Sequence, residues 1–553
     1  MAIYGVDLGT TFCSVAYAAR GVAVVVPLES GPTLASTVLL DGRAAPRAVV
    51  GREATRIYRA LCAGRGEPPP GVVLVRGSKN HVGTAGAVTG GPPWALGGDS
   101  LGPTDVAALV LRALVERVRR TPGLPAVDGV VVTHPQRFRN RERRATAQAV
   151  YLAGLRPVAL VPEPDAAAYA YGLHHRGRAA TFMVFDFGGG TLDVTVMRSR
   201  AGAHGGGAHG GGVHGGGALE ALASYGVQLG GLGIDESLRD RLLERYAVAV
   251  GRPDLSLDAL SESAREELLA TAEGVKIQLN VHATGDVNPS ARVTSRALAL
   301  ETAEGECLPR ASVRVTLGEL SGWTAETVER AADCGREALA RAGLAWGDLD
   351  DVLLVGGSSW LHPVQDRLRA LSGGRVRLYD DAAHPLNPAT AVAAGAALYA
   401  EGIRDGSAEV DYHGVIPDAF GVRARTPDPE REGAWRETLA VLVPALTRVP
   451  FEGRRTFRKR GTAQVLPVEV LEGRTLAEAT PVGRFLVALD RDLPDGAPVE
   501  VTLRIGRDGV LGLEVRDPRS GAAREVTLTD AEGIYSDEAI DARKALLATV
   551  DLA

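Results

Sequence analysis

Lysine is scarce in this 553-residue chain: only Lys79, Lys276, Lys459 and Lys544 are present, and arginine supplies the remaining basic charge. A lysine inside a motif therefore carries more information here than usual. Cysteine is equally rare, and Cys13, Cys62, Cys307 and Cys334 show no CxxC spacing. That scatter argues against a zinc site or a disulfide framework and fits a reducing compartment. Basic charge gives no excess, since the formal net charge is −6, so a nucleic-acid partner is not expected. No run of 18 uncharged apolar residues occurs, and the opening Met1-Ala2-Ile3-Tyr4-Gly5-Val6-Asp7 lacks a basic segment followed by an apolar one. Neither a membrane span nor a signal peptide is readable, and the expectation is a soluble cytoplasmic protein without a membrane partner.

What is present is the make-up of a folded protein, 45% apolar and 23% charged, and too long for a single core. The first residues read as a strand (Ile3 to Val6), a turn at Gly9-Thr10-Thr11 and a returning strand (Phe12 to Ala18), because β-branched and apolar residues flank turn formers. The pattern recurs at Thr181 to Phe185, Asp186, Gly188-Gly189-Gly190 and Leu192 to Val196, which suggests an internal duplication. A third glycine turn, Gly356-Gly357-Ser358-Ser359, follows the strand Val352 to Val355.

Apolar residues at three- and four-residue spacing predict helices over Asp105 to Arg119 and Ser261 to Leu279, so strand and helix alternate in an α/β region. After Ala400 short alternating runs separated by Pro, Gly and Asp predict an all-β module, with a short helix over Ser536 to Thr549. Residues 201–217 form a Gly/His-rich insert carrying His204, His209 and His214. Three imidazoles could bind metal, but so much glycine favours a flexible loop because ordering it costs backbone entropy.

Glycine turns let backbone N–H groups approach phosphate oxygens, and Thr10, Thr11 and Thr191 can add hydroxyl donors. Asp7 and Asp186 cannot face a polyphosphate directly, so a divalent cation with its water shell, magnesium by preference, belongs between them.

The chain resembles the DnaK-type, seventy-kilodalton heat-shock protein family within the actin-like ATPase superfamily. The resemblance rests on Asp7-Leu8-Gly9-Thr10-Thr11, Pro162-Glu163-Pro164-Asp165-Ala166-Ala167-Ala168-Tyr169-Ala170-Tyr171-Gly172, Asp186-Phe187-Gly188-Gly189-Gly190-Thr191-Leu192-Asp193 and Val355-Gly356-Gly357-Ser358-Ser359. It implies a two-lobed, duplicated ribonuclease-H-like ATPase domain over 1–402, a linker over 403–416, a β-sandwich peptide-binding-like domain over 417–530, and a short helix, a truncated lid, over 531–553. It implies ATP/ADP and Mg²⁺ as cofactors, with K⁺ as a further candidate. Lys79, Glu163, Asp186 and Thr191 then match catalytic positions. Asp7, Gly9, Thr10, Thr11, Gly188, Gly189, Gly190, Asp193, Gly230, Gly231, Glu273, Lys276, Gly356, Gly357, Ser358 and Trp360 match nucleotide-binding ones, with magnesium organised by Asp7 and Asp186. Glu273 and Lys276 fall three apart, on one helix face. Val422, Phe457, Leu466 and Val468 match an apolar peptide groove, although alternating apolar residues in a sandwich also build its core. Pro135 and Arg143 resemble a relay between the domains. Extended apolar peptides of unfolded proteins and a nucleotide-exchange factor are the implied partners.

The chain also departs from that pattern. Trp360 replaces an arginine that stacks on adenine; Gly230-Gly231-Leu232-Gly233 lacks two following acidic residues; Asn387-Pro388-Ala389 lacks an aspartate. Val410-Asp411-Tyr412-His413-Gly414 replaces a leucine-rich linker, and Ala159 stands in place of the arginine on which J-domain cochaperones dock. Two functions follow: an ATP-hydrolysing chaperone with slow turnover, or a nucleotide-sensing scaffold that binds a dedicated partner with little or no turnover.

Overall fold

The computed structural model describes residues 2–29, 31–62, 67–83, 93–174, 179–199, 219–281, 290–377, 387–405, 415–416, 418–428, 431, 433–445, 447–448, 450–461, 465–488, 493–505, 511–527 and 537–552. The Gly/His-rich insert and most of the expected linker lie outside these residues.

The chain opens with strand β1 (Ala2–Asp7) and returns antiparallel as β2 (Phe12–Ala19), with Val6 opposite Val15 and Asp7 opposite Ser14. A second, smaller sheet begins with β3 (Val38–Asp41), β4 (Arg47–Val50) and β5 (Val72–Val75). Helix α1 (Pro103–Arg120) buries a long apolar face, led by a proline in its first turn and by Asp105, whose carboxylate accepts from the Gly102 N–H at 2.7 Å. Strand β6 (Val127–His134) then pairs parallel with β1, helix α2 (Asn140–Leu152) follows, and β7 (Pro157–Pro162) joins β6 in parallel. The resulting sheet runs Pro157–Pro162, Val127–His134, Ala2–Asp7, Phe12–Ala19, Val22–Val25, with Thr33–Ala35 also on β2.

After helix α3 (Glu163–His174) the plan repeats. Strands β8 (Ala180–Phe187) and β9 (Leu192–Ser199) form a hairpin, β10 (Leu219–Val227) extends it, helices α4 (Gly231–Ala249) and α5 (Glu262–Val281) follow, and β11 (Asp351–Val355) lies parallel to β8. An antiparallel hairpin with a parallel neighbour therefore occurs once in each half, as the repeated Asp-x-Gly pattern predicts. Both predicted helices are present: the first is longer at both ends, and the second starts one residue later and runs two residues further than expected.

Helix α6 (Ala391–Asp405) closes this domain by lying across β1 and α3. The contact is built from small residues: Ala166, Ala167, Ala168 and Ala170 of α3 and Ala393, Ala396, Ala397 and Ala400 of α6 are all buried in one cluster. Alanine rows let the backbones approach, and Gly395 marks the closest point, where a Cβ would stand 1.6 Å from the Ala166 carbonyl oxygen. The helix continues to Asp405, and its Glu401 carboxylate accepts from the Arg20 and Gly21 backbone N–H groups at 2.7 and 2.8 Å.

The β module is a sandwich of two four-stranded sheets. One contains β12 (Phe420–Pro427), β13 (Trp435–Val443), β15 (Val465–Glu472) and β16 (Thr480–Ala488); the other contains β14 (Phe451–Arg458), β17 (Pro498–Ile505), β18 (Leu511–Arg516) and β19 (Ala523–Thr527). Inward-facing residues of both sheets, from Phe420 to Val515, share one core.

The final helix α7 (Asp537–Thr549) packs on α2, and the following β20 (Asp551–Leu552) pairs in parallel with β4. Its apolar side, Leu547 and Val550, is buried in the core of the N-terminal lobe.

Candidate functional site: a glycine-walled cleft

Both hairpin turns and the third glycine turn converge on one cleft of about 560 Å³. The turns are stitched to each other by backbone and hydroxyl groups. The Gly231 N–H and the Ser358 hydroxyl donate to the Gly188 carbonyl at 3.0 and 2.8 Å, and the Leu232 N–H donates to that of Gly189 at 2.8 Å. The two Asp-x-Gly turns touch directly: a Cβ on Gly189 would lie 1.7 Å from the Thr11 hydroxyl oxygen, so only glycine lets the turns face each other. The Thr11 hydroxyl is buried without a hydrogen-bond partner, which leaves it free for an oxygen-rich ligand.

Most residues singled out from sequence line this cleft: Asp7, Gly9, Thr10, Thr11, Lys79, Glu163, Asp186, Gly188, Gly189, Thr191, Gly231, Glu273, Lys276, Gly356, Gly357, Ser358 and Trp360. Gly190, Gly230 and Asp193 stand just behind it. A Cβ on Gly190 would meet the Asn80 side chain at 2.6 Å, and one on Gly230 would meet the Gly189 carbonyl at 2.3 Å. Asp193 sits opposite Asp186 across the β8–β9 hairpin.

The floor of the cleft is a dense set of charges. The Lys79 ammonium, on the 3₁₀ turn Ser78–His81, donates to the Glu163 carboxylate at the start of α3, and both side chains are buried. Burial alone would push Lys79 down, but Glu163, Asp7 and Asp186 outweigh it and its pKa is raised. The neighbouring carboxylic acids are raised as well. Asp7 is pushed up to about 7, chiefly by burial and then by Glu163, with Lys79 opposing. Burial and then Glu163 and Asp7 hold Asp186 well above the usual range. Asp193 rises to about 7 through burial, with Arg137 opposing. Four carboxyl groups around one ammonium make a site short of positive charge.

That donor set, all hard oxygen, fits magnesium. Among the described residues no three His, Cys, Asp or Glu side chains are arranged to hold a bare ion.

The opposite side of the cleft mixes charged and apolar side chains. Glu273 and Lys276 face it from α5, as their spacing predicts, beside Ile277, Asn280 and Trp360. Sequence reasoning missed three of its residues. Asp235 of α4 pairs with Lys276 at 2.8 Å; burial raises its carboxyl to about 6, while Lys276 opposes and Glu273 and Glu236 add to the rise. Asn280 donates to the Lys276 carbonyl at 2.9 Å and accepts from the His362 N–H at 3.0 Å, tying the segment after Trp360 to α5. Ile277 is 45% exposed into the same space. Asn280 lies four residues past Lys276 and so on the same helix face, a signal that could have found it. The Asp235 contact depends on how two helices pack.

In the sandwich, Val422 and Val468 are buried in the core, and Phe457 and Leu466 are partly buried against it. The relay candidate Arg143 lies between the domains: burial pushes its guanidinium down, with Glu472 of β15 and Glu142 opposing. Beside it Arg139 reaches Asp418 at 3.7 Å and donates to the Thr480 hydroxyl at 2.8 Å.

Known proteins share this pattern. A family model described as Hsp70 protein matches residues 93–546. Chaperone protein dnaK3 of Synechococcus elongatus is 32% identical over 441 residues, covering 79% of this chain and 53% of that protein. Chaperone protein DnaK 1 of a Synechococcus species matches with the same identity and coverage. The chain spans about half the length of these curated relatives. Among the described residues no helix is long and apolar enough to cross a membrane.

Proposed function

The chain belongs to the Hsp70 protein family, with an actin-like ATPase domain followed by a β-sandwich domain, and from that premise we propose that it is a slow, magnesium-dependent ATPase with chaperone activity. The observation that carries this reading is the pair of facing turns, Thr11 against Gly189, above the buried Lys79–Glu163 pair. Backbone N–H groups of the turns and the Thr10, Thr11 and Thr191 hydroxyls bind the phosphates. Lys79 and Glu163 position the attacking water in line with the γ-phosphorus, and catalysis consists of that positioning together with charge neutralisation. Asp7 and Asp186, with Asp193 behind them, would hold a magnesium ion, which would supply the neutralising charge. K⁺ is a second candidate ion for the same oxygen-rich floor. On the α5 side Trp360 stacks on the base where the family pattern has an arginine, and Glu273 and Lys276 take the ribose.

Single-turnover ATP cleavage, measured with and without an extended apolar peptide, tests the proposal. Cleavage that accelerates with peptide supports an ATP-driven chaperone using a groove near Val422, Phe457, Leu466 and Val468. A nucleotide-exchange factor would complete such a cycle, whereas Ala159 argues against a J-domain cochaperone. Tight ATP binding without cleavage points to the second reading, a nucleotide-sensing scaffold, which the attachment of α7 to the N-terminal lobe favours. Failure to bind ATP would overturn both.

A pH dependence follows from Asp235. Above about 6 its carboxylate is charged and holds Lys276 in place, so ADP affinity should fall as pH is lowered through about 6, and Asp235→Asn should flatten that profile. In the empty protein the sign is reversed. The native carboxyl keeps its proton to about 6, above the usual 3.8. Its contribution to stability is therefore full below the lower value and lost as pH rises through the higher one. Calorimetric titrations across this range check both.

A further inference from the structure

A protein can recognise a base by hydrogen bonds to its edge, which reject an analogue lacking the matching group by about 10⁴–10⁵-fold. It can also stack on the face, which every base offers, and then it tolerates a change of base. The α5 side of the cleft is built for stacking. Trp360, half-buried at the end of the 3₁₀ turn Gly357–Trp360, and Ile277 of α5 present large apolar surfaces to it. Ile277 is 45% exposed, so this wall is open to solvent and an amino or keto group on a base edge can keep its water.

The polar groups around these two residues are spent on the protein itself. Asn280 lines the same wall, and asparagine reads adenine by offering a donor and an acceptor together. Here its Nδ2 donates to the Lys276 carbonyl at 2.9 Å and its Oδ1 accepts from the His362 N–H at 3.0 Å. With both ends held, the amide cannot turn to present that pair to a base. Asp235 holds the Lys276 ammonium at 2.8 Å. In the turn, the Ser359 and Leu361 N–H groups donate to the Gly356 and Ser358 carbonyls at 3.2 and 3.1 Å. The Ser359 and Trp360 carbonyls accept from Gln365 Nε2 at 3.3 and 3.2 Å, and the Ser358 hydroxyl donates to the Gly188 carbonyl at 2.8 Å. Glu273 also faces the cleft, but a carboxylate accepts equally from the amino group of adenine or of guanine, so it separates the purines poorly.

We infer that the base slot selects by ring size and not by hydrogen bonds to the base edge, so that the chain binds guanosine nucleotides about as tightly as adenosine nucleotides. Trp360 and Ile277 set this preference, and the glycine turns hold the phosphates of either nucleotide in the same way. The inference rests on reading the cleft as a nucleotide site and adds to that reading a substrate class, the purine nucleotides.

Competition calorimetry on the full chain with ADP, GDP, UDP and inorganic pyrophosphate tests it. GDP should bind within about tenfold of ADP, and UDP at least about tenfold more weakly, because a single ring covers less of the indole. Trp360→Ala should weaken ADP and GDP alike, by about tenfold or more, and Trp360→Phe should restore most of the loss. Pyrophosphate, which carries no base, should bind the wild type and both variants within about twofold, which shows that the variants keep the fold of the cleft. A preference for ADP over GDP above about tenfold, UDP binding as tightly as ADP, or a Trp360→Ala effect on only one purine nucleotide overturns the inference and leaves the nucleotide reading in place. Failure of all three nucleotides to bind overturns that reading and the inference with it.

Discussion

Replacing Lys79 by alanine should lower single-turnover ATP cleavage by about 10²–10³-fold, the range found when one preorganised charge-stabilising group is removed, while ADP affinity changes far less. The asymmetry follows from position. Lys79 sits on the floor beside Glu163, Asp7 and Asp186, whereas the turns and the α5 face that hold the rest of a nucleotide are independent of it. Its loss removes the ammonium beside Glu163, Asp7 and Asp186, and protonation of those buried carboxyl groups then competes with holding an attacking water. Single-turnover quenching beside ADP calorimetry separates the two effects. Unchanged cleavage would remove Lys79 from the chemistry, and a parallel collapse of ADP binding would make it a phosphate ligand instead.

Gly395→Val should be the most damaging substitution outside the cleft, destabilising by about 3 kcal/mol or more because overpacking at a backbone contact leaves no side chain to move aside. The added Cβ would stand 1.6 Å from the Ala166 carbonyl oxygen, at the point where α6 crosses α3. Glu163 begins α3, so the strain also displaces the partner of Lys79, and ADP-dependent protection against urea should shrink with it. Gly322→Ala is the control. It lies in the exposed face of helix Leu317–Ala342, with nothing within 4 Å of an added Cβ, and should stabilise by roughly 0.5–1 kcal/mol by lowering the entropy of the unfolded chain. Equal effects of the two substitutions in urea melts would refute the account of the crossing.

Legibility from sequence follows the range of the interactions involved. The phosphate turns were readable because each is a local hairpin whose glycines and threonines are neighbours, and because the motif occurs twice. Helix spacing puts Glu273 and Lys276 on one face, but only the family resemblance marks that face as a nucleotide-binding one. The Asp235–Lys276 pair joins two helices across 41 positions and has no local signature. Residues 536–549 read correctly as a helix, but their partner did not. Leu547 and Val550 announce an apolar face without saying which domain covers it, and the complementary Arg112 and Asp105 lie inside a helix more than 400 positions earlier. The family resemblance marks Val422 and Val468 as groove residues, whereas their alternation is the signature of a sandwich interior, which is where both side chains are buried.

The parallel pairing of β20 with β4 has a consequence for how the protein is made. Strand β4 leaves the ribosome early, and its partner follows some 500 residues later, roughly half a minute to a minute and a half at about 5–20 residues per second. Throughout that interval the small sheet presents an open edge of unpaired backbone groups, the kind of template on which strands of other chains pair and aggregate. The small sheet thus waits some 500 residues of synthesis for its last strand, and aggregation during synthesis should be most sensitive to changes at Arg47 to Val50.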